Sequence, residues 1–137
     1  MQRLRRGPLV DAAPGLELWL DGGHNPAAGQ ALAAHLSGLP ARPTHLVCGM
    51  LNTKDVTGFL APLAAQAHSL TAVPIPGEAN TLSAEQTADI ATAAGHEAST
   101  AATVSEALER IIETAPGARV LICGSLYLAG RVLRENG

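Results

Sequence analysis

The sequence predicts an α/β fold, a mostly parallel sheet of about five to six strands flanked by helices, and three observations predict it. Five apolar runs of strand length alternate with five segments of helical spacing, which is the signature of a parallel sheet with helices on its faces. None of the connections between them needs a long structureless loop. Apolar residues make up 47% of the chain but aromatics only 2%, so the core must be built from Leu, Val, Ile and Ala, as is ordinary for a globular α/β protein. A length of 137 residues fits one domain with one core.

The strands are expected at Leu16–Leu20, Thr44–Gly49, Ser69–Ile75, weakly at Glu97–Ser99, and at Arg119–Cys123. The helices are expected at Pro26–Leu36, Asp55–Ala67, Ala84–Ala94, Val104–Thr114 and Leu126–Arg134. Asn25 can cap the first helix, and Pro26 suits its first turn because the missing N–H has no partner there anyway. Ser83 with Gln86 three residues on reads as a capping box, and Ser105 offers a start for the Val104–Thr114 helix. Gly95 and Pro116-Gly117 stop the helices before them. The run Thr71 to Pro76 ends in Pro-Ile-Pro, so that strand should lie near an edge or end early, because proline cannot donate to a ladder. Residues 1–15, rich in Pro, Gly and Arg, read as a lead-in segment, with the folded domain spanning residues 16–137.

The formal net charge of −3 and the lack of aromatic residues for base stacking argue against nucleic-acid binding. The cluster Arg3, Arg5 and Arg6 reads as a solvated segment. No apolar stretch approaches the ~20 residues of a membrane helix, and no signal-like segment follows Met1, so a cytoplasmic monomer without membrane association is expected. Cys48 and Cys123 fall singly within strands, as small buried side chains of a reducing compartment do. The histidines show no metal-ligand spacing, and no metal site is expected.

In an open parallel sheet, ligands bind beyond the carboxyl ends of the strands. Three loops qualify: Asp21-Gly22-Gly23-His24-Asn25-Pro26, Gly49 to Asp55, and Gly124-Ser125-Leu126-Tyr127. Asp21 can accept hydrogen bonds from ribose hydroxyls or close a turn, and His24 can donate to a phosphate or bond a carbonyl. Lys54 can pair with an anion or balance charge before a helix. Ser125 can serve a carboxylate, cap the last helix, or act as a nucleophile, although the G-x-S-x-G elbow is absent. No G-x-x-x-x-G-K-[ST] loop and no G-x-G-x-x-G turn occurs. Two charge-assisted hydrogen bonds of about 1.5–3 kcal/mol each, plus up to about 1 from a helix end, barely meet an association cost of at least ~4 kcal/mol. A nucleotide touching this rim needs a second surface.

Leu20-Asp21-Gly22-Gly23-His24-Asn25-Pro26, Gly49-Met50-Leu51-Asn52-Thr53-Lys54-Asp55 and Cys123-Gly124-Ser125-Leu126-Tyr127, in this order, resemble the carboxyl-terminal domain of folylpolyglutamate synthase/dihydrofolate synthase, of the Mur ligase superfamily. The resemblance covers nearly the whole chain and implies a Rossmann-like sheet. It also implies an ATP- and Mg2+-dependent ligase that activates a dihydropteroate or folate carboxylate as an acyl phosphate, which the amine of L-glutamate then attacks. The P-loop, the magnesium ligands and the folate site would lie on a central domain that this sequence lacks. No catalytic residue is therefore expected here, and the domain alone should be inactive. By the same resemblance Asp21 matches a nucleotide-contacting aspartate, His24 the histidine beside the phosphates, and Lys54 and Ser125 positions that hold the amino acid's carboxylates.

Gly23 stands where the family usually has alanine, which should loosen the turn. A family arginine in a Gly-Arg pair would precede Gln2, and the sequence is expected to begin after it. Whether the ligase makes dihydrofolate, extends polyglutamates or does both depends on the absent domain. The alternative function is a free-standing Rossmann-like nucleotide- or anion-binding module.

Overall fold

The computed structural model describes residues 1–136. Its elements are β1 (Gln2–Leu4), α1 (Pro8–Asp11), β2 (Glu17–Leu20), α2 (Pro26–Ser37), β3 (Thr44–Cys48), α3 (Val56–Leu60) with a 3-10 continuation (Ala61–Gln66), β4 (Ser69–Ala72), α4 (Ala84–Ala93), β5 (Ala98–Thr100), α5 (Val104–Thr114), β6 (Arg119–Cys123) and α6 (Leu126–Glu135). The strands form one sheet in the order β1-β2-β6-β3-β4-β5, parallel except for β1. The expected α/β architecture is present.

Alternation along the strands divides the core between two faces. Leu18, Leu20, Val47, Val120 and Ile122 point to the side covered by α5, α6 and the α1 region. Leu46, Cys48, Leu70, Leu121 and Cys123 point to the side covered by α2, α3 and α4. Strands β3, β4 and β6 are flanked by strands on both edges and by helices on both faces, which is why they read as continuous apolar runs.

Local chemistry accounts for most boundaries. Asn25 Oδ1 accepts the Ala28 N–H at 2.8 Å with Pro26 at the helix start, and Ser83 with Gln86 closes a full capping box on α4. Strand β4 ends at Ala72, before Pro74, and β5 covers its outer edge, so the early end rather than the edge position is what occurs.

Three expectations are corrected. Residues 1–15 are not outside the core: β1 pairs antiparallel with β2, and Leu4, Leu9 and Ala13 are buried. The helix expected over Asp55–Ala67 changes to 3-10 at Ala61, because Pro62 lacks an N–H and its ring obstructs the α-helical ladder. Helix α5 is capped by Thr103, whose side chain accepts the Glu106 N–H at 3.0 Å, and not by Ser105. The Thr103-x-x-Glu106 spacing carries the same signal as the Ser83 box. At Gly23 the N–H donates to Asp21 Oδ2 at 2.7 Å, and an added Cβ would lie 2.7 Å from Ala28 Cβ, so this turn packs against α2 more closely than a side chain allows.

The β3/β4 pair carries a pH dependence. His45 Nδ1 lies 2.5 Å from Ser69 Oγ, and its ring centroid is 6.2 Å from that of His68. Burial, and then the charge of His68, lower its pKa from the ordinary 6.5. The unfolded chain therefore binds this proton more readily than the native one. Stability from this group is complete above about pH 6.5 and declines as pH falls through that value toward the lowered native pKa. Urea midpoints measured between pH 7.5 and pH 5 should fall, and His45→Gln should flatten that part of the profile. An identical slope in the variant would assign the acid sensitivity elsewhere.

Candidate functional site

The strand order makes the crevice. After β2 and β3 the chain passes into α2 and α3 on one face, whereas after β6, which lies between them, it passes into α6 on the other. Helices leaving neighbouring strands on opposite faces open a gap at the carboxyl ends, the usual ligand position in such sheets.

Gly124 sets the floor of this gap. Its φ of +108° is one that L side chains rarely adopt, and a Cβ there would lie 2.6 Å from both Gly49 O and Met50 Sδ. Glycine therefore lets the loops after β3 and β6 touch. Ser125 follows as the N-cap of α6: its Oγ accepts the Tyr127 N–H at 3.0 Å and the Leu128 N–H at 3.4 Å, and the residue is only 2% exposed. The cap role is thus realised. The hydroxyl keeps its own proton to donate. No histidine is hydrogen-bonded to Ser125 among the described residues, so the nucleophile reading has no base beside it.

On the facing loop, Asp55 caps α3 through Gly58 N–H at 2.9 Å. The preceding Lys54 is half-buried and makes no ion pair among the described residues. His24, from the β2 loop, has Nδ1 3.2 Å from Gly22 O. A carbonyl can only accept, so Nδ1 carries the proton and neutral Nε2 is left as an acceptor. His24, Lys54 and Ser125 line one cavity of about 190 Å³ together with Leu51, Leu126 and Tyr127. Leu126 and Tyr127 are 66% and 53% exposed at its mouth. Leu126 has no polar group and the Tyr127 phenol stands at no recognised catalytic spacing, so neither signalled a site in the sequence.

Asp21 stands apart. Its Oδ2 closes the turn on Gly23, and it lines a different cavity, of about 320 Å³, with Ala28, Leu32 and His35. The structure therefore joins three of the four candidate residues and separates the fourth. Beneath the rim, Cys48 and Cys123 face each other in register as free, buried thiols. The hydrogen bond with Cys48, then burial, then the nearby charges of Cys48 and Asp21 push the Cys123 thiol well above its ordinary range, which leaves it neutral and suited to packing rather than attack. No group of His, Cys, Asp or Glu suited to hold a metal occurs among the described residues. No helix among them is long and apolar enough to cross a membrane.

A mostly parallel sheet with loops converging at a switch point, one of them a glycine-floored helix cap, defines a Rossmann-like α/β domain. Comparison makes this specific: residues 5–126 match the family model of the Mur ligase glutamate ligase domain, and the chain belongs to that family. It is 31% identical over 113 residues to folylpolyglutamate synthase of Lacticaseibacillus casei, covering 82% of this chain and 25% of that protein. Among solved structures it is similar to Escherichia coli FolC in complex with DHPP and ADP, at TM-score 0.78 and 25% identity, covering 97% of this chain and 30% of that one. It is equally similar to Mycobacterium tuberculosis folylpolyglutamate synthase complexed with ADP, at TM-score 0.79 and 26% identity, covering 98% and 33%. The Yersinia pestis bifunctional folylpolyglutamate synthase/dihydrofolate synthase complexed with AMPPNP and Mn gives TM-score 0.76 and 28% identity over 97% and 30%. The chain thus spans about a quarter of the curated relative it matches.

Proposed function

We infer that this chain is the carboxyl-terminal domain of a ligase that joins L-glutamate to a dihydropteroate or folate carboxylate at the expense of ATP, with residues 1–15 an integral part of that domain. The observation that carries the reading is the convergence of His24, Lys54 and Ser125 on one cavity at the switch crevice. A solved relative of the same fold is a bifunctional folylpolyglutamate synthase/dihydrofolate synthase with Mn, AMPPNP and L-glutamate bound.

In this reading Lys54 and the Ser125 hydroxyl bind glutamate carboxylate, a cation and a donor being what an anionic nucleophile's substrate requires beside phosphate. His24 reaches a phosphate oxygen only as the imidazolium, since Nδ1–H is committed to Gly22 O. Asp21, on the separate cavity, accepts from the ribose. The mechanistic contribution of the chain is to hold glutamate and one side of the nucleotide in reacting geometry and to exclude water when the two domains meet. In this reading the residues that hold magnesium belong to the central domain. The domain by itself should bind nucleotide only weakly and catalyse nothing.

The test is Asp21→Ala in the full-length ligase. The apparent KM for ATP should rise about three- to thirtyfold, from one charge-assisted hydrogen bond partly exposed to solvent, with thermal stability nearly unchanged. Unchanged ATP kinetics with a large fall in Tm would make Asp21 a turn residue only.

A further inference from the structure

A second large cavity lies at the opposite pole, where the strands begin. It has a volume of about 530 Å³ and is lined by the segment between α2 and β3, the end of the 3-10 helix and the start of β6. Its charged lining residues are Arg42 and Arg119. Arg119 is only 4% exposed, and its Nε donates to Glu17 at 2.8 Å and Nη2 to Pro40 O at 3.0 Å. Two of its five N–H groups are thereby committed. Arg42 pairs with the other oxygen of the same Glu17 carboxylate.

One carboxylate therefore faces two guanidinium groups. Burial raises the Glu17 pKa, but hydrogen bonds from Arg119 and Trp19 and the charges of Arg119 and Arg3 outweigh it, so the carboxyl is held below its usual range and stays ionised. A single negative charge leaves the pole with net positive charge. The Arg119–Glu17 pair joins β2 to β6, whose residues 17 and 119 are in register. Arg42 reaches the same carboxylate from the segment between α2 and β3, is partly exposed, and stands at the cavity. A third donor is present: His68 Nδ1 accepts the Thr44 N–H at 3.1 Å, so the neutral ring carries its proton on Nε2, and His68 also lines the cavity. The remaining wall is apolar, with Leu39, Pro43 and Ala65.

We propose that this pole is a second ligand site, remote from the rim, for a small oxyanion, either a carboxylate on a compact apolar body or a phosphate. Guanidinium forks fit both oxyanions in bidentate geometry, and the apolar wall suits a body attached to the anionic head. The site does not depend on the functional reading of the opposite rim.

The experiment titrates this 137-residue chain, labelled with 15N, with sodium benzoate and separately with inorganic phosphate at constant ionic strength. Saturable shifts are expected at the amides of Ala41, Arg42, Thr44, His68 and Arg119, and Arg42→Gln should weaken binding at least tenfold with at most a small fall in Tm, the pair with Glu17 being partly exposed. Arg42→Lys should recover part of the affinity. Saturation with benzoate alone assigns a carboxylate on an apolar body, and saturation with phosphate alone assigns a phosphate ligand. Unsaturable shifts, shifts confined to the His24 and Lys54 rim, or an affinity unaffected by Arg42→Gln would each overturn the proposal.

Discussion

Gly124→Ala is expected to destabilise the domain by about 2–5 kcal/mol, the sum of a left-handed backbone cost of about 1–2 and an overpacking cost of about 1–3. The new Cβ would meet Gly49 O, which is backbone and cannot rotate away, at 2.6 Å. For a domain of this size the loss corresponds to a fall in Tm of very roughly 6–15 °C. Gly117→Ala is the control, because Gly117 has a φ of +82° but nothing within 4 Å of an added Cβ. It should lose only the conformational part. Equal losses in the two variants would mean that the contact between the β3 and β6 loops contributes nothing. In the full-length ligase, Gly124→Ala should also impair turnover beyond its effect on stability, since the residue that moves is next to Ser125 and across from Met50 and Lys54.

The second large effect follows from the proposed function. If Lys54 holds a glutamate carboxylate, Lys54→Ala in the full-length ligase should raise the KM for glutamate about ten- to hundredfold, the worth of one charge-assisted hydrogen bond of about 1.5–3 kcal/mol. The Tm should hardly change, because the ammonium makes no ion pair among the described residues. Saturating glutamate should restore much of kcat. A change confined to the KM for ATP would move Lys54 to the nucleotide, and a stability loss with normal kinetics would return it to charge balance before α3.

What the sequence revealed follows the range of the physics involved. Caps and breakers act over three or four residues, so Asn25-Pro26, the Ser83-Gln86 box and the Pro74 stop were legible, and so was the alternation that defines the fold class. Strand β1 was not: three residues, two of them polar, show no alternation, and only pairing with β2 and burial of Leu4 identify them as part of the sheet. The strand order was not legible either, since no local signal says that β6 enters between β2 and β3. That order decides which loops share a crevice. The general rule for parallel sheets pointed to three loops, and the sequence could not tell that the side chains of Asp21 and His24 would line different cavities. The pole around Arg119 escaped notice because Glu17, Arg42 and Arg119 are far apart in the chain, and their convergence is wholly tertiary.

The central position of β6 has a consequence for how the protein comes into being. Leu20 pairs with Ile122, about a hundred residues later, and Cys48 with Cys123. During synthesis β2 and β3 emerge long before their common neighbour, so each presents an unpaired apolar edge until the last strand arrives. Contacts of such high sequence separation slow folding, because the closing loop must be ordered before any pairing repays it. A nascent chain halted short of Arg119 should consequently be protease-sensitive and prone to aggregation, whereas one extended through α6 gains its sheet, its core and the rim together.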